Sequence, residues 1–169
     1  IDTLGHPVGI YTLNDERYRS NVEVLLMAGG LGTRLGELTK NTPKPLLEVS
    51  GTPILEKVLL NISSYNIDKF IISVNYLAEQ IVEYFGDGSS FGVDVRYLRE
   101  KEKLGTAGCL ALMSEATSDY LLIVNGDVLS DLDFSELLRT HEESRNVVTA
   151  ALGYAEFRVP FGVVELCDD

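Results

Sequence analysis

The stretch Val22–Ala28 is a nearly continuous apolar run that ends directly in Gly29-Gly30-Leu31-Gly32. A strand with one wet face alternates apolar and polar residues. A run apolar on both alternations suits a parallel strand covered on both faces. Similar runs recur at Phe70–Val74 and Tyr120–Val124, and helical periodicity fills the intervals. Ile54, Leu55, Val58, Leu59 and Ile62 are spaced for one buried stripe, and Ala78–Phe85 places Ile81, Tyr84 and Phe85 on one face. Strands separated by helices predict a layered, mainly parallel α/β sheet.

Shorter segments complete that expectation. Leu46–Val49 reads as an extended piece before a turn at Ser50-Gly51, after which Thr52 reads as the N-cap of a helix with Pro53 at its first position. The stretch Gly86–Ser90 has loop chemistry, Val93–Leu98 alternates like a strand, and Thr106–Met113 looks helical. Asp133-Phe134-Ser135-Glu136 resembles a capping box that turns Phe134, Leu137 and Leu138 inward. Val147–Leu152 and Gly162–Leu166 read as two closing strands. Ligands of such sheets sit outside the carboxyl ends of the strands. Here those ends carry Gly29–Arg34, Asn75 and Asn125-Gly126-Asp127.

Charge narrows the class of ligand. Asp and Glu number 26 against 14 Lys and Arg, which argues against a nucleic-acid partner, because such binding needs clustered cations. A small phosphorylated ligand needs only a few placed cations and is not excluded. No apolar run approaches the roughly 18–20 residues of a membrane span, and the first residues do not read as a secretory signal. Cys109 and Cys167 make no disulfide framework and read as small buried or half-buried thiols of a reducing compartment, so cytoplasm is the expectation. His6 and His141 read as surface or half-buried side chains, with no Ser-His-Asp or Cys-His set around them.

Binding phosphate through the backbone requires glycines, which let consecutive N–H groups converge on an anion. Ala28-Gly29-Gly30-Leu31-Gly32-Thr33-Arg34-Leu35 offers such a nest with a cation at its end. It lacks the Gly-Lys-Ser/Thr of a Walker loop and the G-x-G-x-x-G of a dinucleotide site. Taken alone, it also suits a tight turn with an incidental arginine. In Thr42-Pro43-Lys44-Pro45 two prolines stiffen the backbone around a lysine, although nothing in the triplet itself turns that side chain away from solvent.

Together the two motifs resemble the signature of the sugar nucleotidyltransferase (pyrophosphorylase) superfamily, G-G-x-G-T-R-L followed by P-K-P. The resemblance continues through Leu104-Gly105-Thr106-Ala107-Gly108, similar to the family's base-contacting element, and Asn125-Gly126-Asp127, similar to its metal-binding N-G-D. It extends to Phe161-Gly162-Val163-Val164-Glu165, similar to the strand lining the sugar pocket. It implies a Rossmann-like layered α/β sheet of nucleotidyltransferase type. It also implies transfer of a nucleotidyl group from a nucleoside triphosphate to a sugar 1-phosphate, forming a nucleotide sugar and pyrophosphate. On that likeness Arg34 and the loop Ala28, Gly29, Gly30, Gly32 and Thr33 hold the triphosphate, while Lys44 neutralises the reacting phosphates. Asp127 holds Mg²⁺, Gly105 and Thr106 contact the base, and Gly162 lines the sugar site. An aspartate at a strand end also caps turns, and Gly126 before it reads as leaving room for a ligand.

In the same family a residue shortly before L-G-T-A-G reads the base edge, and uridylyl and thymidylyl members often use glutamine there. The matching residue here is Glu100. An ionised carboxylate only accepts hydrogen bonds, and guanine offers two adjacent donors, N1–H and the 2-amino group, so GTP is the expected nucleotide. The competing reading has Glu100 facing solvent or paired with Arg99 or Lys101.

Two further expectations rest on the resemblance. Ile1-Asp2-Thr3-Leu4-Gly5-His6-Pro7-Val8-Gly9-Ile10 resembles the closing strands of a CBS repeat, so residues 1–20 read as the remnant of a preceding CBS-like module, or else as an unstructured tail. The family's Glu-Lys-Pro element and second metal-binding aspartate are expected beyond Asp169, so residues 21–169 read as a C-terminally truncated catalytic domain with poor turnover by itself. No motif fixes the oligomeric state, and a homo-oligomer is compatible with the sequence. A non-catalytic nucleotide-sugar-binding regulator of the same fold is the rival reading. It is disfavoured by the presence of Arg34, Lys44 and Asp127 together. A dinucleotide-dependent oxidoreductase is weaker still, because Leu46–Val49 leads only to Ser50-Gly51 where an acidic residue is wanted.

Overall fold

The computed structural model describes residues 21–153 apart from Leu31, Lys103, Thr106 and 114–117, with Thr33 and Arg34 described by their backbone alone. The proposed CBS-like segment, His6, the strand Gly162–Leu166 and Cys167 lie outside the described residues. The chain divides into two compact units, one ending at Leu132 and one beginning at Asp133.

In the first unit the apolar runs form the expected sheet. Strand β1 (Val22–Met27) is followed by the short β2 (Glu48–Val49) and β3 (Thr52–Pro53), then helix α1 (Ile54–Ser63) and β4 (Lys69–Val74). Helix α2 (Ala78–Phe85), β5 (Asp94–Arg99) and β6 (Tyr120–Asn125) complete it. The order β5-β4-β1-β6 is parallel throughout, with Val24 level with Phe70 and Leu122. Val22, Val24, Leu25 and Leu26 of β1 and Phe70, Ile72 and Val74 of β4 are buried, as the two middle strands of a covered sheet must be. Leu55, Val58, Leu59 and Ile62 form the buried stripe of α1.

Several expectations need correction. Thr52 is not a helix cap. Ser50 and Gly51 take φ of 56° and 78°, the positive pair a two-residue type I′ hairpin requires, so Val49 pairs with Thr52 and the cap position falls to Pro53. Tyr84 does not join the buried face of α2. It is exposed, donates to the Glu56 carboxylate at 2.5 Å, and touches the rings of Phe85 and Phe91. The run Tyr120–Val124 is not fully buried: β6 closes one side of the described sheet, and only Leu122 is buried while Ile123 is exposed. Of the segment read as helical, Thr106–Met113, the described part from Ala107 onward is no α-helix but holds a short 3-10 turn, Gly108–Leu112, with Cys109 buried against Leu25 and Ile71.

In the second unit helix α3 (Phe134–Ser144) begins as predicted, with the Asp133 carboxylate accepting from the Glu136 N–H at 3.1 Å. Phe134 and Leu138 are buried and Leu137 half-buried. The segment Val147–Leu152 is not a strand. Its Val147, Val148 and Leu152 side chains are exposed, and among the described residues no strand pairs with it. Among the described residues no helix is long and apolar enough to cross a membrane.

Candidate functional site

Because the four strands are parallel, their carboxyl ends share one end of the sheet, with Met27 level with Ser73 and with Asn125, and Val74 level with Arg99. Chain leaving β1, β4, β5 and β6 there brings together Ala28, Gly29, Gly30 and Gly32 with Asn75, Glu100 and Gly126-Asp127. The Ala28 N–H still donates to the Ser73 carbonyl at 3.0 Å, so the loop begins from a fixed point.

The glycine loop is held from below. Gly32 has φ of 64°, and a Cβ there would come within 2.7 Å of Thr39 Cγ2 and 3.2 Å of Lys44 Cβ. Thr39 is buried, and its hydroxyl donates to the Gly32 carbonyl at 3.0 Å. Thr39 thus pins the loop, a role its sequence context gave no reason to assign. A 3-10 stretch, Thr33–Thr39, kinked at Gly36, follows Gly32 and sets the backbone of Thr33 and Arg34; their side chains, like Thr106, lie outside the described residues.

Lys44 is presented as the flanking prolines suggest, since Pro43 and Pro45 are buried while Lys44 opens a single 3-10 turn. Its approach is tied to the α2 region, where Tyr76 donates to the Lys40 carbonyl at 2.8 Å and Gln80 to the Asn41 carbonyl at 3.0 Å. The Lys44 ammonium donates to Asp127 Oδ2, bridging 83 residues of sequence, with the two side chains 37% and 32% exposed. A pair open to solvent to that degree adds little stability and remains free to exchange partners.

Asp127 is positioned by Gly126, whose N–H donates to the Met27 carbonyl at 3.0 Å. The expectation that Gly126 leaves room for a ligand is corrected here. Gly126 is buried, and a Cβ on it would meet Leu55 Cδ1 at 2.9 Å and the Met27 carbonyl oxygen at 3.0 Å, so it serves close packing of the strand ends. Among the described residues no three His, Cys, Asp or Glu side chains cluster as a metal cage. One half-buried carboxylate beside a phosphate-type loop suits Mg²⁺, which keeps several waters and takes other oxygens from substrate phosphates.

Glu100 neither faces away into solvent nor pairs with its sequence neighbours. Arg99 is engaged by Glu79 at 2.6 Å, and that hydrogen bond, with the attached charge, holds the Glu79 carboxyl below its usual range. The half-buried Glu100 turns its carboxylate over Gly29, where a Cβ would lie 2.7 Å from Oε1. The Ser73 hydroxyl donates to that same oxygen. Leu104-Gly105 reaches the same end of the sheet, with the Ala107 N–H pointing at Met27 Sδ at 3.2 Å and the Gly108 N–H donating to the Gly105 carbonyl at 3.3 Å. Gly162 lies outside the described residues, and His141 is half-buried in the second unit, bonded to Thr149 at 2.8 Å.

The sequence model of the family described as "Nucleotidyl transferase" matches residues 23–169. The chain is 37% identical over 132 residues to the mannose-1-phosphate guanylyltransferase of Mycobacterium tuberculosis, covering 78% of this chain and 37% of that protein. It is 34% identical to the D-glycero-alpha-D-manno-heptose 1-phosphate guanylyltransferase of Campylobacter jejuni, covering 69% of this chain and 52% of that protein. It is also 34% identical to the N-acetylmuramate alpha-1-phosphate uridylyltransferase of Neisseria meningitidis, covering 80% of this chain and 59% of that protein. The chain therefore spans about two-fifths to three-fifths of these relatives' lengths. Among solved structures, HddC of Yersinia pseudotuberculosis complexed with GMP-PN superposes with a TM-score of 0.60 at 27% identity, over 70% of this chain and 53% of that one.

Proposed function

The chain belongs to the nucleotidyl transferase family, and from that premise we propose that it transfers a nucleotidyl group from a nucleoside triphosphate to a sugar 1-phosphate. The observation that carries this reading is the meeting of Lys44 and Asp127 beside the glycine loop at the carboxyl end of a parallel sheet. A phosphate oxygen of the sugar attacks the α-phosphorus in line, one P–O bond forms, and the bond to the bridging oxygen of pyrophosphate breaks. Such a reaction needs positioning and charge neutralisation rather than a protein nucleophile. Backbone N–H groups of the glycine loop and Arg34 hold the triphosphate. Lys44, exchanging Asp127 for a phosphate oxygen, neutralises charge at the reacting centre. Asp127 is the residue that would hold Mg²⁺, which supplies further neutralisation when bound. Gly162 is assigned to the sugar side by resemblance alone.

The base is assigned to guanine through Glu100. Two of the three relatives above are named guanylyltransferases and one a uridylyltransferase, so the relatives support the reaction class and leave the base to local chemistry. A carboxylate at Gly29 accepts from guanine N1–H and the 2-amino group, whereas uracil and thymine offer one donor between two carbonyls. The proposal places the reaction in the cytoplasm. It is tested by pyrophosphate release from the full-length protein, with Mg²⁺, across GTP, UTP, dTTP and CTP and a panel of sugar 1-phosphates. Release with GTP is expected. Silence with every pair overturns the reaction class, and a preference for UTP or dTTP overturns the base.

A further inference from the structure

Ser73 is the penultimate residue of β4, on a strand whose neighbours Phe70, Ile71, Ile72 and Val74 are all buried, and it is itself 0% exposed. A hydroxyl in such a place costs stability unless it is bonded. Main-chain carbonyls are the common partners for a buried serine. This one instead spends its proton on the carboxylate of Glu100, one residue beyond the end of β5. The same strand end holds Glu100 twice more. Its N–H donates to the Val74 carbonyl at 2.9 Å, and its carbonyl accepts from the Asn75 side-chain amide at 2.8 Å. Backbone and carboxylate of Glu100 are thus both set by Ser73-Val74-Asn75, and the carboxylate is held in the space that the missing Cβ of Gly29 leaves open.

We propose that Ser73 is a positioning residue for nucleotide selection, fixing the rotation of the Glu100 carboxylate so that it presents two acceptors to the edge of a purine carrying a 2-amino group. The inference rests on the base assignment made above and deepens it. One hydroxyl fills one of roughly four acceptor positions on a carboxylate, so capacity for a base edge remains. Two parallel donors demand an oriented pair of oxygens. A glutamate swinging through its rotamers would meet them only part of the time, and the Ser73 bond removes that freedom before the ligand arrives.

The test measures dissociation constants of GTP and ITP, which differ only by the 2-amino group, on the full-length protein and its Ser73→Ala, Ser73→Cys, Glu100→Ala and Ser73→Ala/Glu100→Ala variants. Their ratio cancels any general loosening of the site. The expected result is a clear GTP preference in the wild type and its loss in Glu100→Ala. Both Ser73 variants should show a roughly three- to tenfold smaller ratio, the range for losing one typical intramolecular hydrogen bond. Cysteine preserves the volume while donating weakly, so Ser73→Cys guards against a packing artefact. Ser73→Ala should have no further effect on the ratio once Glu100 is alanine. An unchanged ratio in the Ser73 variants, or an equal loss in the Glu100→Ala background, overturns the role of Ser73 while leaving that of Glu100 intact. Equal binding of GTP and ITP by the wild type overturns the base assignment itself, and this proposal with it.

Discussion

At the scale of single residues, the site separates groups that act on a ligand from groups that hold other groups. On the proposed function, Asp127 belongs to the first kind. Asp127→Asn keeps the shape and a hydrogen bond to Lys44 but removes the charge, and loss of one preorganised electrostatic group costs about 2.7–4 kcal/mol in the transition state. A fall in kcat of about 10²–10³, with a raised Mg²⁺ requirement, is therefore expected in steady-state pyrophosphate release; full activity at unchanged Mg²⁺ dependence would remove Asp127 from the mechanism. The two glycines give a sharper contrast. In Gly29→Ala the new methyl meets Glu100 Oε1, the tip of a side chain, so the carboxylate leaves Ser73 and GTP affinity falls, with a stability loss limited to that of the freed Ser73 hydroxyl. In Gly126→Ala the methyl meets Leu55 and a β1 carbonyl, which cannot swing away. Overpacking of that kind costs about 1–3 kcal/mol, seen as a lower denaturation midpoint. Lys44, Asp127 and Glu100 were legible in the sequence because each sits in or near a motif. Ser73 and Thr39 were not, because their roles are fixed by partners 27 and 7 residues away that no local pattern announces.

At the scale of elements, the sequence was legible where one local interaction decides the outcome and misleading where two compete. The start of α3 rests on Asp133 and Glu136 alone, and it forms as read. At α1 the same kind of reading failed, because Thr52 serves two patterns, a cap before Pro53 and the second arm of a Ser50-Gly51 hairpin, and the hairpin takes it. The two helices therefore make opposite predictions. Asp133→Ala should destabilise α3 by about 0.5–2 kcal/mol, the usual range for losing an N-cap. Thr52→Ala, at a residue whose side chain caps nothing, should cost clearly less than that range. Urea denaturation of both variants decides between them, and a Thr52→Ala loss as large as that of Asp133→Ala would show that the cap exists in solution. The strand Tyr120–Val124 makes the same point in tertiary terms: its composition reads as fully buried, yet burial depends on what lies beside it, and at the side of the described sheet only Leu122 is covered.

At the scale of the whole molecule, the charge opposes the ligands proposed for the site. The chain carries a formal net charge of −12, while a nucleoside triphosphate and a sugar phosphate are both anions. On the proposed function, attraction is confined to the carboxyl end of the sheet, where Lys44 and the loop amides would meet the phosphates, and repulsion comes from charges spread over the rest of the chain. The two differ in range, and salt separates them. The Debye length falls from about 30 Å at 0.01 M to about 10 Å at 0.1 M, so added salt removes the distant repulsion first and leaves contacts in the site largely unscreened. The association rate of GTP, followed by stopped flow at fixed Mg²⁺, should therefore rise or stay level as KCl goes from about 10 mM to about 100 mM. A protein that collects polyphosphates through a broad cationic field behaves in the opposite way, losing affinity steeply over the same range. A several-fold fall in the association rate would mean that a cationic field around the site outweighs the net charge, and the argument from overall acidity would then fail for nucleic acids as well as for nucleotides.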